Sequence, residues 1–69
     1  MTDKVLRMKL SEFAKFLCDN RIELWDFEEN ESVGIYDLET ILKYGESSEY
    51  YVYCVSAEND VLVLYVSTN

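Results

Sequence analysis

The sequence predicts an α+β fold, with two short helices packed on one face of a small antiparallel sheet of four to five strands. Two observations support this prediction. The last twenty residues form two runs rich in β-branched and aromatic side chains around a polar turn. Two other stretches repeat apolar residues at helical spacing, next to capping residues. The length of 69 residues corresponds to a single domain, residues 1–69, and the apolar share of 49% is enough for a core.

The N-terminal third predicts one strand and one helix. In residues 4–10 apolar side chains alternate with basic ones, which is the period of a half-buried strand. Ser11 then offers an N-cap, and Glu12 places an anion in the first helical turn. Apolar residues follow at helical spacing, so we expect a helix over residues 12–20.

The middle of the chain predicts a strand, a turn, a second strand and a second helix. Residues 21–27 alternate as a strand does, although helical spacing fits them too. Residues 28–31 follow as a turn and residues 32–36 as a returning strand. Asp37 can cap a helix that ends at Gly45, because glycine is the residue favoured just beyond a helix C-terminus.

Residues 50–57 and 61–67 predict a C-terminal β-hairpin, because Glu58, Asn59 and Asp60 supply turn residues between two runs of strand-forming residues. Both faces of this hairpin are largely apolar. That pattern is typical of central strands, or of a face that something else covers.

The register of the hairpin is open between two alternatives. With a two-residue loop, Ala57 pairs with Leu62 and Tyr53 pairs with Val66. With a three-residue loop, the partner of Ala57 becomes Val61. The sequence does not decide between them.

Charge is distributed unevenly along the chain. Residues 1–21 carry five bases and three acids, a net charge of +2, whereas residues 22–69 carry eleven acids and one base, a net charge of −10. A field of one sign attracts partners of the opposite charge. The predicted partner-binding residues are Glu23, Asp26, Glu28, Glu29, Glu31, Asp37, Glu39, Glu46 and Glu49, with Tyr36 as an aromatic contact. The alternative interpretation of these acids is an ordinary solvated surface.

The expected partner is a basic host protein that itself binds nucleic acid. Carboxylates spread over several elements can imitate a phosphate backbone and compete for a basic groove. Direct binding of nucleic acid is not expected, because it requires Lys and Arg to neutralise phosphates.

We expect no enzymatic activity and no cofactor. The chain has no His, and its Ser and Cys residues have no adjacent base. Residues 26–37 match the first ligand positions of a calcium-binding EF-hand loop. However, Glu31 stands where that loop requires Gly, and Asp37 stands where it requires a bidentate Glu. The sequence therefore predicts no metal site.

Cysteine use predicts a reducing compartment. Cys18 and Cys54 lie far apart in sequence and are expected to be buried free thiols rather than a disulfide. No apolar window approaches the length of a membrane span, and the N-terminus has no apolar signal core. We therefore expect a cytoplasmic protein with no membrane partner.

Two stretches carry a resemblance to a known class of proteins. They are an amphipathic opening segment, MKLSEFAKFL, and a terminal apolar hairpin, YYVYCVSAENDVLVLYV. With them the chain resembles the small acidic α+β proteins that bacterial phages and prophages encode. Some proteins of that kind inhibit host defence or host nucleic-acid enzymes, several as DNA mimics. The resemblance implies a non-enzymatic inhibitor or modulator acting in the bacterial cytoplasm, and it assigns no role to any single residue.

The alternative function is that of a structural or assembly module. Two short helices can cover only one face of the sheet, and the opposite face of the hairpin is also apolar. On this interpretation the protein forms a homodimer through the hairpin.

Overall fold

A computed structural model describes residues 7–18 and 21–68, and it confirms the α+β class. The strands follow the spatial order β1-β4-β5-β2-β3. β2 runs parallel to β5 and the other neighbouring pairs are antiparallel, so the sheet is mixed rather than wholly antiparallel. The elements are β1 (Met8–Lys9), α1 (Leu10–Phe13), a following 3-10 turn (Ala14–Phe16), β2 (Arg21–Asp26), β3 (Glu31–Tyr36), α2 (Leu38–Ser47), β4 (Tyr51–Glu58) and β5 (Val61–Ser67).

The core lies between the helices and one face of the sheet. The parallel register places Ile22 beside Leu62 and Leu24 beside Leu64, so the two central strands present a continuous apolar row to the helices. The helices cover this row and complete the core. The buried cluster consists of Leu10, Ala14, Ile22, Leu24, Ile41, Val52, Leu64 and Val66.

The first helix is shorter than the sequence predicts. It begins at Leu10 rather than beyond Ser11, and the cap position is taken by Lys9, whose side chain makes no capping hydrogen bond. The helical turns end at Phe16, after which Leu17 is already extended. Leu10 is buried in the core directly after β1, which accounts for the early start of the helix. The sequence predicts a strand over residues 4–10, and the structure has β1 there. Residues 4–6 of the predicted strand lie outside the described residues.

The second helix begins as predicted but ends later. Asp37 is the N-cap, because its side chain accepts a hydrogen bond from the Thr40 backbone N–H at 2.9 Å. Gly45 is not the residue that follows the helix; it lies inside the helix and is buried. A Cβ at this position would lie 3.1 Å from the Cα of Ser11. Gly45 is therefore the point where α2 approaches the backbone of α1.

The C-terminal hairpin adopts the two-residue loop. Asn59 and Asp60 both have positive φ, 48° and 68°, which is the signature of a type I′ turn. Ala57 pairs with Leu62, as this register requires. The predicted pairing of Tyr53 with Val66 is wrong, because a bulge shifts the register and Val52 takes that place.

We expect Gly45→Ala to destabilise the protein by about 1–3 kcal/mol, although alanine is the better helix former. The added methyl group would press on the backbone of Ser11, which cannot rotate away as a side chain can. Urea unfolding measures the change. Lys43→Ala, at an exposed position of the same helix, is the control and should stay within about 0.5 kcal/mol of wild type. If Gly45→Ala were as stable as wild type, the two helices would be able to move apart by the width of a methyl contact without loss of unfolding free energy.

Asp37 makes stability depend on acidic pH. The hydrogen bonds from Thr40 hold the pKa of this carboxyl below the ordinary aspartate value of 3.8. A lowered pKa in the folded state stabilises the protein above the ordinary value, and the contribution is lost as the pH falls below it. We expect Asp37→Ala to lower the melting temperature at neutral pH, and the difference from wild type to shrink in acid. Asp37→Asn, which retains a capping oxygen, should melt close to wild type. A difference between wild type and Asp37→Ala that is the same at both pH values would contradict this role.

Candidate protein-binding site

The topology brings six of the predicted acidic residues to one end of the molecule. β2 runs toward this end, the turn after it lies there, and β3 leads away. α2 then returns, so that its last turn and the loop before β4 lie at the same end. We call this region the acidic end. It consists of Asp26, Glu28, Glu29, Glu31, Glu46 and Glu49.

The remaining predicted acids lie elsewhere. Asp37 and Glu39 stand at the start of α2, at the opposite end of the sheet. Glu23 lies in the middle of β2, paired with Ile35 and Val63 on the face turned away from the core. The nine acidic residues that the sequence predicts as one binding surface therefore do not all lie together in the structure.

Asp26 is a structural residue of the acidic end. One carboxylate oxygen, Oδ1, accepts hydrogen bonds from the backbone N–H groups of Glu28 and Glu29 at 3.0 and 3.1 Å. The other oxygen, Oδ2, accepts from the Tyr50 hydroxyl at 3.5 Å. Asp26 thus orders the turn that displays Glu28 and Glu29, and it connects this turn to the segment after α2.

Three tyrosines pack in a row along the core, and the last of them, Tyr50, adjoins the acidic end. The ring of Tyr44 lies 5.9 Å from that of Tyr36 and 6.2 Å from that of Tyr50. Tyr36, which the sequence suggests as a partner contact, is half-buried and packs against the core. Gly34 leaves room for it, since a Cβ there would lie 2.7 Å from the Tyr36 hydroxyl oxygen. These contacts give Tyr36 a packing role.

Tyr50 is the aromatic residue that adjoins the acids. Burial raises the pKa of its phenol, and the Tyr44 hydroxyl and the Asp26 carboxylate raise it further. The hydroxyl therefore stays protonated and can donate its hydrogen bond to Asp26. Sequence reasoning missed this residue as a contact with Asp26, because the two are 24 positions apart.

A shallow depression of ≈ 390 Å³ borders the acidic end, and Glu46, Glu49 and Tyr50 line it. Lys9 lines it as well, so one basic residue stands within the acidic region. The Oγ atom of Ser48 is buried beside it and makes no hydrogen bond. The lining thus mixes both signs of charge.

Both described cysteines are free, but Cys18 and Cys54 are exposed rather than buried as the sequence predicts. The EF-hand-like residues 26–37 form a strand end, a turn and a strand, with no helix before them as that motif has. No three His, Cys, Asp or Glu side chains of residues 7–18 and 21–68 are grouped so that they could hold a metal ion. Within these same ranges no helix is long and apolar enough to span a bilayer.

Asp26→Ala is expected to destabilise the protein by about 1–2 kcal/mol, because two turn N–H groups and the Tyr50 hydroxyl lose their acceptor. Asp26→Asn keeps the Oδ1 acceptor and should cost less. Glu29→Ala, at an exposed position of the same turn, should change stability by less than about 0.5 kcal/mol. Thermal unfolding compares the three variants, and equal stability of Asp26→Ala and wild type would contradict the structural role.

Searches of protein-family models, of curated proteins and of solved structures found no match to this chain.

Proposed function

We propose that this protein is a non-enzymatic binding module whose acidic end engages a basic protein, as an inhibitor or modulator of nucleic-acid binding. The observation that supports the proposal is the gathering of acids from β2, the following turn, β3 and α2 at one end. Five of the six carboxylate residues there are exposed: Glu28, Glu29, Glu31, Glu46 and Glu49.

Exposed carboxylates at this density suit a partner that normally holds phosphates. Each carboxylate can accept hydrogen bonds from Lys or Arg, as a phosphate oxygen does. The field of the acidic end also steers a basic protein toward it, which raises the association rate. The expected target is a nucleic-acid-binding protein of the bacterial cytoplasm, for which this end would compete with nucleic acid.

A rigid scaffold behind the acids favours binding. Asp26 fixes the turn through two backbone hydrogen bonds, and it is connected to α2 through the Tyr50 hydroxyl and the contact of the Tyr50 ring with Tyr44. Because these carboxylates are held on an ordered frame, less conformational freedom is lost when a partner docks.

Two charge variants test the position of the site. Glu29→Gln with Glu31→Gln removes two charges from the acidic end, and Glu39→Gln with Asp60→Asn removes two from the opposite end. All four residues are exposed, and both variants change the net charge from −8 to −6. The pair is therefore matched in charge and differs only in location.

The probe is an arginine-rich peptide, titrated calorimetrically against wild type and both variants. We expect the acidic-end variant to bind about three- to tenfold more weakly and the control variant to bind within about twofold of wild type. Raising the salt concentration should weaken binding in all three. Equal losses in both variants would leave net charge as the only determinant, and salt-independent affinity would exclude the electrostatic mechanism.

The same three proteins, immobilised at low salt, serve as baits in a bacterial lysate. A nucleic-acid-binding protein retained by wild type and by the control, but not by the acidic-end variant, would identify the target. Displacement of DNA or RNA from that target by wild-type protein would then establish the inhibitory activity.

A further inference from the structure

The face of the sheet turned away from the helices is apolar and aromatic. Because strand residues alternate between faces, the register determines which side chains lie there. At its centre Trp25 of β2 pairs with Tyr65 of β5, and Tyr65 pairs with Cys54 of β4. We call this surface the open face. Its central members are Trp25, Ile35, Cys54, Val61, Val63 and Tyr65.

Part of the open face is accessible, and Trp25, Val61 and Tyr65 on it are half-buried. Ile35 is 49% exposed and Cys54 is exposed, whereas Val63 lies on the floor of the face and is only 6% exposed. Phe27, which is 41% exposed, packs edge-on against Tyr53, with ring centroids 5.1 Å apart. The core cluster that the described helices cover lies on the other side of the sheet. An apolar surface of this kind is the usual mark of a binding site.

The charge of the open face differs from that of the rest of the molecule. The register places Lys9, Arg21, Glu23 and Glu58 on it, and the guanidinium of Arg7 lies 4.4 Å from the Tyr51 ring centroid. These three bases and two acids give the face a net charge of +1, whereas the whole chain carries −8. A basic partner is therefore drawn to the acidic end rather than to this face.

A second copy of the chain fits the open face better than any strongly charged partner does. Two molecules of charge −8 repel one another wherever acids meet acids, and the open face is where that excess is absent. Its bases and acids can also pair with acids and bases of an identical face. Since β5 is the middle strand of the sheet, a two-fold axis at its centre brings the face against itself.

The available area is sufficient for a modest interface. Four strands of 6, 6, 8 and 7 residues form most of the face. With strands about 4.8 Å apart and six residues at about 3.3 Å each, the flat footprint is roughly 400 Å² per copy. The side chains that protrude from the sheet increase the area beyond this flat footprint. Two copies therefore bury on the order of 1,000 Å² in total, near the lower limit for specific association.

We propose that the protein forms a two-fold symmetric homodimer by packing its open face against the open face of a second copy. Trp25, Cys54 and Tyr65 lie at the centre of the interface together with Glu23, and Arg7, Lys9, Arg21 and Glu58 lie around it. The dimer leaves both acidic ends accessible, and it does not depend on what those ends bind.

Wild-type protein tests the proposal without any substitution. Sedimentation over a range of concentrations should show a monomer–dimer equilibrium, which added salt strengthens by screening the repulsion between two chains of charge −8. This salt effect is opposite in sign to that expected for binding of a basic partner. Emission of Trp25, the single tryptophan, should shift to shorter wavelength as the dimer forms.

Thiol labelling locates the interface. Cys54 and Cys18 are both exposed in the monomer, but only Cys54 lies on the open face. We expect Cys54 to become protected as the concentration rises, while Cys18 keeps the same reactivity. A protein that stays monomeric at all concentrations, or a dimer in which Cys54 remains as reactive as Cys18, would overturn the proposal.

A matched pair of variants completes the test. Cys54→Lys should weaken dimerisation by roughly 100-fold or more, because it buries an ammonium group without a partner. Cys18→Lys adds the same charge away from the face and should dimerise as wild type does. Circular dichroism checks that both variants are folded. A Cys54→Lys protein that is folded and still dimerises normally would contradict the assigned interface.

Discussion

A chain of 69 residues with two short helices can cover only one face of a five-stranded sheet, and the rest of this structure depends on that constraint. The covered face is held by burial of Leu24 and Leu64, neighbours in the parallel pair β2–β5, beneath Leu10 and Ile41. Small domains expose a large fraction of their surface. When the helices bury one face of the sheet, the other face is therefore available for interaction. Here the face that the described residues leave uncovered is apolar and nearly neutral.

Charge and hydrophobicity are separated in space although they are mixed along the chain. The acids that follow Arg21 lie within a few residues of Trp25 and Phe27, yet the direction of the strands carries most of them to one end and leaves the aromatic side chains on a face. The molecule therefore offers two different kinds of surface. One attracts partners through a long-range field, and the other requires close contact.

The sequence predicted the elements whose signals are local. The alternation in residues 21–27, the capping side chain of Asp37 and the C-terminal hairpin all depend on neighbouring residues, and each is observed. The two-residue turn of this hairpin is one of the two alternatives that the sequence leaves open. Predictions that depended on distant contacts were less accurate. The role of Gly45 is set by Ser11, and the start of the first helix is set by the position of Leu10 in the core.

For the candidate site, the sequence identified the residue types but not their grouping. Asp26 was expected to face a partner, but its carboxylate is used by the turn and by Tyr50. Glu23 lies apart from the others because it is in the middle of β2, whereas Asp26 is at the end of the strand. Both thiols were assigned to the interior on the habit of free cysteine, and Cys54 is exposed because the helices do not cover its side of the sheet.

The two edges of the sheet have a consequence for assembly. β1 has only two residues, and β3 pairs with β2 irregularly, with a register shift after Leu24. A strand of two residues, or one distorted by a bulge, is a poor template for a further strand from another molecule. Within the described residues, lateral growth into fibres is therefore hindered at the β3 edge. If two copies pack through the broad face of the sheet, both faces become buried at once. Assembly then stops at the dimer.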